Sequence, residues 1–181
     1  MIPKPIRTTR LFLRKAKETD SENLYRNYTS DAECSRFLTR KPHTKIEQTS
    51  DFLNTWCKNN WENDSIHFSW VVSLIESDEA IGVFLVSIDA HKAEIHFGLG
   101  KEYWRQGFAT EAGIAVVKWL SEQKSLQRIG SVSDVLNQGS IKVLEKIGLS
   151  HEGILKNWLV LPAFGESARD CYIFGKTWKD N

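Results

Sequence analysis

The sequence predicts an α+β fold: a mixed, mostly antiparallel seven-stranded sheet with helices on both faces, in the order βααβββαβαββ. Three observations point there. The first third carries three Ser/Thr-x-x-Glu helix starts, residues 68–99 hold three runs rich in β-branched and aromatic residues separated by turn residues, and residues 112–120 follow a helical apolar period with a strand-like run after it.

Leu11-Phe12-Leu13 reads as the first strand. Thr19-Asp20-Ser21-Glu22 and Ser30-Asp31-Ala32-Glu33 each have the capping-box spacing and predict two short helices. A third box, Thr44-Lys45-Ile46-Glu47, opens a segment whose Ile46, Leu53, Trp56 and Cys57 fall roughly on one helical face, until Asn59-Asn60 and Asn63-Asp64 break it. Phe68 to Ile75, Ala80 to Ile88 and Ala93 to Leu99 then predict an antiparallel meander, turned at Ser77-Asp78 and at Asp89-Ala90-His91-Lys92. Ala112, Ala115, Val116, Trp119 and Leu120 mark a long amphipathic helix that must pack on a sheet. Arg128 to Ser133 reads as a strand, and Ser140 to Ile147 as a short helix stopped by Gly148. Leu149 to Leu161 and Ala168 to Thr177 read as two closing strands joined through Pro162 and Gly165.

A chain of 181 residues with 41% hydrophobic and 26% charged content can bury one ordinary core, and it has no repeat or Pro/Gly/Ser-rich linker, so residues 1–181 are expected to form one domain. Lys plus Arg number 24 against 23 Asp plus Glu, which gives no global field to hold nucleic acid or an anionic membrane. No apolar run approaches a membrane span, and the start Met1-Ile2-Pro3-Lys4-Pro5 lacks a secretory h-region; a cytoplasmic protein is expected. Three dispersed cysteines, Cys34, Cys57 and Cys171, fit reduced thiols serving as small apolar residues. Whether the chain is a monomer or a homodimer is open, and seven tryptophans could serve core or interface.

Chemistry concentrates in Tyr103-Trp104-Arg105-Gln106-Gly107-Phe108-Ala109-Thr110-Glu111, between a strand and a helix start. Free N–H groups and the macrodipole make a helix N-terminus an anion cradle, a glycine lets a pyrophosphate approach the backbone, and Arg105 could add charge. Gly107 could equally serve only a turn, and Arg105 could be merely solvated. Other chemistries fit poorly. Gly175-Lys176-Thr177 ends like a phosphate-binding loop, but Asp170 stands where its first glycine belongs. Gly98 and Gly100 begin a dinucleotide spacing that Tyr103 ends, and no ligand-spaced His/Cys cluster or serine elbow occurs, so no metal is expected.

Strand, Tyr-Trp-x-x-Gly-Phe-Ala-Thr-Glu-Ala, helix, strand, then Asn137-x-x-Ser140-x-x-x-Leu144-x-Lys146-x-Gly148-Leu149 resembles the GNAT superfamily of N-acetyltransferases, in its RimJ/RimL-like branch, over nearly the whole chain. Gly153-Ile154-Leu155 and Arg169-Asp170 resemble that branch too. The resemblance implies an acetyl-CoA-dependent transferase acting on a primary amine, with the sheet splayed between its fourth and fifth strands to admit the cosubstrate. It implies that the backbone amides of Arg105, Gln106, Gly107, Phe108, Ala109 and Thr110 hold the pyrophosphate and that the strand edge from Phe97 to Leu99 pairs with the pantetheine arm. Asn137 would bond the pantetheine or the bound substrate, and Lys146 belongs to the same cosubstrate-binding motif. Trp104 stands where the wider superfamily often has Gln or Arg, as in the RimJ/RimL branch, which removes one polar contact.

Acyl transfer from a thioester to an amine needs a neutral amine, a stabilised oxyanion and a tolerated thiolate. A lysine amine with pKa about 10.4 is almost wholly protonated at neutral pH and an α-amino group near about 8 only partly, so either gains from a base. Glu94 and His96 alternate onto one face of their strand, and Glu94 matches the place where the superfamily often carries a catalytic glutamate; His96 is a candidate for the acceptor side. A solvated Glu94 and a satisfied His96 are the plainer alternatives. The superfamily's usual tyrosine acid is replaced by Leu144. Ser140 resembles the serine that the branch places near the CoA sulfur, where its hydroxyl could donate to a thiolate; it could also be a helix cap. Acceptor contacts are expected around Phe37, Arg40 and Lys41 and from the loop Pro162-Ala163-Phe164-Gly165-Glu166. The acceptor could be a protein N-terminus, as on ribosomal proteins, or a small amine or antibiotic. A non-catalytic CoA-binding sensor or interaction module is the reading from another class.

Overall fold

The computed structural model describes residues 1–61 and 65–178. Its strands are β1 (Ile6–Arg7), β2 (Leu11–Arg14), β3 (His67–Leu74), β4 (Ala80–Asp89), β5 (Lys92–Leu99), β6 (Arg128–Asp134), β7 (Ser150–Val160) and β8 (Ala168–Thr177). They form one sheet in the order β1-β2-β3-β4-β5-β6-β8-β7. Every neighbouring pair is antiparallel except β5 with β6. The expected α+β class and the mostly antiparallel sheet hold, with eight strands instead of seven. The added strand, β1, has two residues, pairing Ile6 with Leu13 and Arg7 with Phe12, too short a run for any period to announce it.

The helices are α1 (Asp20–Leu24), α2 (Ala32–Ser35), α3 (Ile46–Phe52), α4 (Phe108–Ser121) and α5 (Gln138–Lys146). Three helices precede the meander, one starting within each of the three Ser/Thr-x-x-Glu boxes, although the expected element order had counted only two. α1 continues as a π-helical turn over Tyr25–Thr29, and α3 as another over Leu53–Lys58. The capping residues are not those of the sequence boxes. Thr19 makes no side-chain cap, Asp31 caps α2 by accepting from the Cys34 N–H at 2.8 Å, and ahead of α3 the Gln48 carboxamide oxygen takes the Thr44 and Lys45 N–H groups. In the second and third boxes the bond forms one residue beyond the position that the spacing marks. The expected break at Asn63-Asp64 falls outside the described residues.

Both sheet faces are covered. Leu24, Tyr28, Leu53 and Cys57 of the N-terminal helical layer pack on Val71 and Val83. On the other face, α4 through Ala112, Val116 and Leu120, and α5 through Ile141 and Leu144, pack on Trp70, Phe84, Val86 and Ile95. Trp119 of α4 meets Phe68 and Trp70 edge-on at 5.9 and 5.3 Å. The central strand β3, with six consecutive buried residues, has the apolar run expected where both faces are covered. The three cysteines are buried and unbridged, and burial pushes the Cys34 thiol up to about 12. Among the described residues no helix is long and apolar enough to cross a membrane.

The connection β5-α4-β6 is the parallel crossover that shapes the functional region. β5 and β6 are paired only over Lys92 to Glu94 opposite Arg128 to Gly130, and beyond that they diverge. Since the strands are parallel, α4 after β5 and α5 after β6 start at the same, open end of this gap.

Candidate active site

The gap is set by which backbone groups of β5 find partners. Residues 95, 97 and 99 turn their N–H and C=O groups toward β6, because successive residues of a strand bond to opposite sides. The Ile95 carbonyl accepts from the buried Ser131 hydroxyl at 2.7 Å, and the Leu99 carbonyl accepts from the Trp104 indole N–H at 2.8 Å. Between them the Phe97 backbone faces the gap, without a strand partner on that side among the described residues. A bound amide could pair there, as the sequence resemblance implied for Phe97. For Leu99 only the N–H remains, since Trp104, far from merely removing a contact, occupies its carbonyl. The Phe97 ring stacks on Phe84 at 5.8 Å, on the α4 side.

At the open end, Arg105 and Gly107 both take left-handed backbone conformations, with φ of 60° and 83°. This is strained for an arginine and unstrained for a glycine. The two residues turn the chain so that Gly107 becomes the N-cap of α4, and no side chain caps the helix. Its leading N–H groups, from Phe108, Ala109 and Thr110, thus keep the orphan donors and partial positive charge that suit a phosphate. The loop is held from outside the motif. Arg10 donates from Nη1 to the Gln106 carbonyl at 3.0 Å and from Nε to Glu111 at 2.7 Å, and lies 4.2 Å over the Phe108 ring. The Thr8 hydroxyl and the Arg10 backbone N–H add bonds of 2.6 and 2.8 Å to the same carboxylate. Burial works to raise the Glu111 carboxyl, but these donors outweigh it and hold it below the usual range. Thr8 and Arg10 escaped the sequence reading because a contact across 101 residues leaves no local signal.

Asn137 caps α5, its carboxamide oxygen accepting from the Ser140 N–H at 3.2 Å. The cap is therefore Asn137 and not Ser140, and the Asn137 side-chain oxygen is already engaged, which leaves its NH2 group for a ligand. The half-buried Ser140 hydroxyl makes no hydrogen bond among the described residues, so it keeps a proton to donate. Leu144 is fully buried in the core. Lys146 is exposed at the far end of α5, roughly one helix length from Asn137, so the fold does not bring these two together.

On the opposite face of β5, Glu94 and His96 stand side by side, with His96 Nε2 2.8 Å from the carboxylate. That bond holds the Glu94 carboxyl below its usual range, against partial burial, which raises it. Further along the same face Gly98 makes room for Tyr28: a Cβ there would lie 2.0 Å from the Tyr28 hydroxyl. Phe37 and Phe164, 127 residues apart in sequence, meet at 5.5 Å, which brings together two of the places where acceptor contacts were expected. Arg36 lies 5.2 Å from the Phe164 ring and Arg169 4.1 Å, the latter fixed by a 2.5 Å bond to the buried Asp134. Arg40 joins this side through Tyr28, its guanidinium 5.6 Å from that ring. The sequence had singled out Phe37, Arg40 and Phe164 separately; Tyr28, Ser131 and the Asp134–Arg169 pair it had missed.

A site with an open strand edge, an uncapped helix start and a carboxylate–histidine pair on one face suits a phosphate-bearing thioester beside a nucleophile. Comparison with known proteins agrees. The acetyltransferase (GNAT) domain model matches residues 10–150. An uncharacterised N-acetyltransferase, p20 of Bacillus licheniformis, is 30% identical over 154 residues, covering 83% of this chain and 85% of its own. The crystal structure of a GNAT-family acetyltransferase from Bacillus anthracis superposes with a TM-score of 0.83 at 25% identity, over 96% of this chain and 98% of that one. The ribosomal L7/L12 alpha-N-protein acetyltransferase RimL, solved in complex with coenzyme A, shares the fold with a TM-score of 0.82 at 19% identity, over 96% and 98% of the two chains. This chain belongs to the GNAT acetyltransferases and is an N-acyltransferase.

Proposed function

We propose that the chain moves an acetyl group from acetyl-CoA to a primary amine, by direct attack in a ternary complex, and that its acceptor is a protein N-terminal α-amino group. The observation that carries the cosubstrate is the gap between β5 and β6: a free Phe97 backbone inside it, and the uncapped α4 start at its mouth. The pyrophosphate would rest on the amides of 105–110, the pantetheine would pair with Phe97, and the thioester would reach the stretch of β5 that carries Glu94 and His96. Glu94, kept ionised by His96, can take the proton from the acceptor ammonium so that the neutral amine attacks the thioester, and the Ser140 hydroxyl can donate a hydrogen bond to the departing thiolate. The shared fold with an enzyme named for α-N-protein acetylation supports the N-terminal acceptor, and a small amine is the alternative.

Calorimetric titration with acetyl-CoA, with ATP and NADH as controls for general phosphate binding, tests the cosubstrate. Saturable one-to-one binding selective for acetyl-CoA is expected, and its absence would overturn the proposal. The buried Leu144 in place of a tyrosine acid is what favours the second reading, a CoA-binding sensor without turnover. Release of CoA thiol with a panel of peptides and amines would exclude that reading.

A further inference from the structure

Among the described residues, five of the nine arginines make an ion pair with a carboxylate: Arg10, Arg14, Arg26, Arg128 and Arg169. Of the other four, Arg7 lies on the Phe12 ring and Arg105 belongs to the proposed phosphate cradle. The remaining two, Arg36 and Arg40, lie on the acceptor side. Arg40 is the more unusual. Its Nη1 donates to the Thr29 carbonyl, the Ser35 hydroxyl and the Lys41 carbonyl at 3.1 to 3.3 Å, which fixes the guanidinium in place. Its Nη2 is shut off from solvent and, among the described residues, has no hydrogen-bond partner of good geometry, although burial raises the Tyr28 hydroxyl and the guanidinium as a whole works against that to lower it. A buried cationic donor left unpaired is costly, and a carboxylate is the group that best matches a guanidinium. No Asp or Glu occurs in residues 36–45, while Arg36, Arg40, Lys41 and Lys45 do.

The position suits an acceptor. Arg40 lies beside the Tyr28 ring, and the Tyr28 hydroxyl rests on Gly98, the residue after Phe97 and on the face that carries Glu94 and His96. We infer that the acceptor carries a carboxylate close to its amine, and that Arg40 Nη2 is the group that reads it. This rests on the acetyl-transfer reading above and narrows its substrate class. Nη2 is closed off from solvent, so the carboxylate arrives by displacing side chains around it. Residues 36–45, which have neither helix nor strand, are the part able to give.

The test compares matched acceptors by CoA-thiol release: glycine with glycinamide, and peptides that begin with Asp with the same peptides beginning with Asn. The first pair probes a free amino acid, the second an acidic N-terminus. In the wild type, one pair or both is expected to show kcat/KM about ten- to a hundredfold higher for the carboxylate, carried mainly by KM. In Arg40→Gln that ratio should collapse toward one, and Arg40→Lys should restore part of it, with acetyl-CoA titration and thermal melting confirming that each variant is folded. Equal turnover of both members of each pair by the wild type overturns this inference alone. Retention of the ratio in folded Arg40→Gln does the same. Acetyl-CoA binding with no turnover of any amine overturns the transfer reading and this inference with it.

Discussion

Glu94 sits in two opposed influences. The His96 bond lowers its carboxyl while partial burial raises it, and the bond prevails. A base so placed is ionised throughout the neutral range and is lost only as pH falls through its lowered value. Glu94→Gln should therefore cut kcat by about a hundredfold or more with acetyl-CoA affinity nearly intact. In His96→Ala the acid limb of kcat against pH should move to higher pH, because the lowering bond goes and the raising burial stays; an unmoved limb would remove Glu94 from the proton path. Gly98 is constrained by contact, since any Cβ there lies 2.0 Å from the Tyr28 hydroxyl and 2.6 Å from its Cζ. Gly98→Ala must push Tyr28 off the strand. A destabilisation of roughly 1–3 kcal/mol in denaturant melts is expected, with a loss of turnover on top of it.

At the level of elements, α4 packs at one end and, in the proposed function, would bind at the other. Its Trp119 end is held by the aromatic contacts with Phe68 and Trp70, and its open end by Glu111 gripping the Thr8–Arg10 turn. Arg10 reaches the proposed cradle without belonging to it: it takes the Gln106 carbonyl, which would otherwise be able to face a phosphate. Arg10→Ala should raise the dissociation constant for acetyl-CoA about tenfold while kcat at saturation changes little, and Arg10→Lys should recover only part of the loss, since one ammonium cannot serve both Gln106 and Glu111. A variant with unaltered affinity would show the loop to be self-supporting. This brace also marks the limit of what the sequence reveals. β5 and α4 were legible because Glu94 and His96 alternate with Ile95 and Phe97, and because Ala112, Val116, Trp119 and Leu120 keep a helical period. The turn that opens α4 was legible because Gly107 stands at a strand-to-helix junction. The true caps Asp31 and Asn137, the two-residue β1 and the Arg10–Glu111 link were not, since each depends on where the chain returns in space and not on local spacing.

Seen as a whole, the sheet is two blocks, β1 to β5 and β6 with β8 and β7, joined through a three-residue parallel pairing, the Gln127–His91 backbone bond just ahead of it and the Ser131–Ile95 bond. Every other interface within the sheet is longer, except the two-residue pairing of β1 with β2 at its edge. The proposed cosubstrate would lie in this weak join, pairing with Phe97 on one block and meeting the Asn137–Ser140 helix start that follows the other. A ligand that binds the folded state alone stabilises it by RT ln(1 + [L]/Kd), about 2.7 kcal/mol at a hundredfold excess over Kd. For a chain of this size that is a rise in melting temperature of roughly 5–10 °C. Acetyl-CoA should produce such a shift, and ATP, which can fill only the phosphate cradle, should produce much less. Gly107→Val should abolish the acetyl-CoA shift, because a β-branched residue resists the left-handed conformation at φ 83° that opens the cradle. A full shift in that variant would place the pyrophosphate elsewhere. An equal shift from ATP would mean that binding stops at the mouth of the gap, leaving the β5–β6 join unfilled and Glu94 without a thioester to serve.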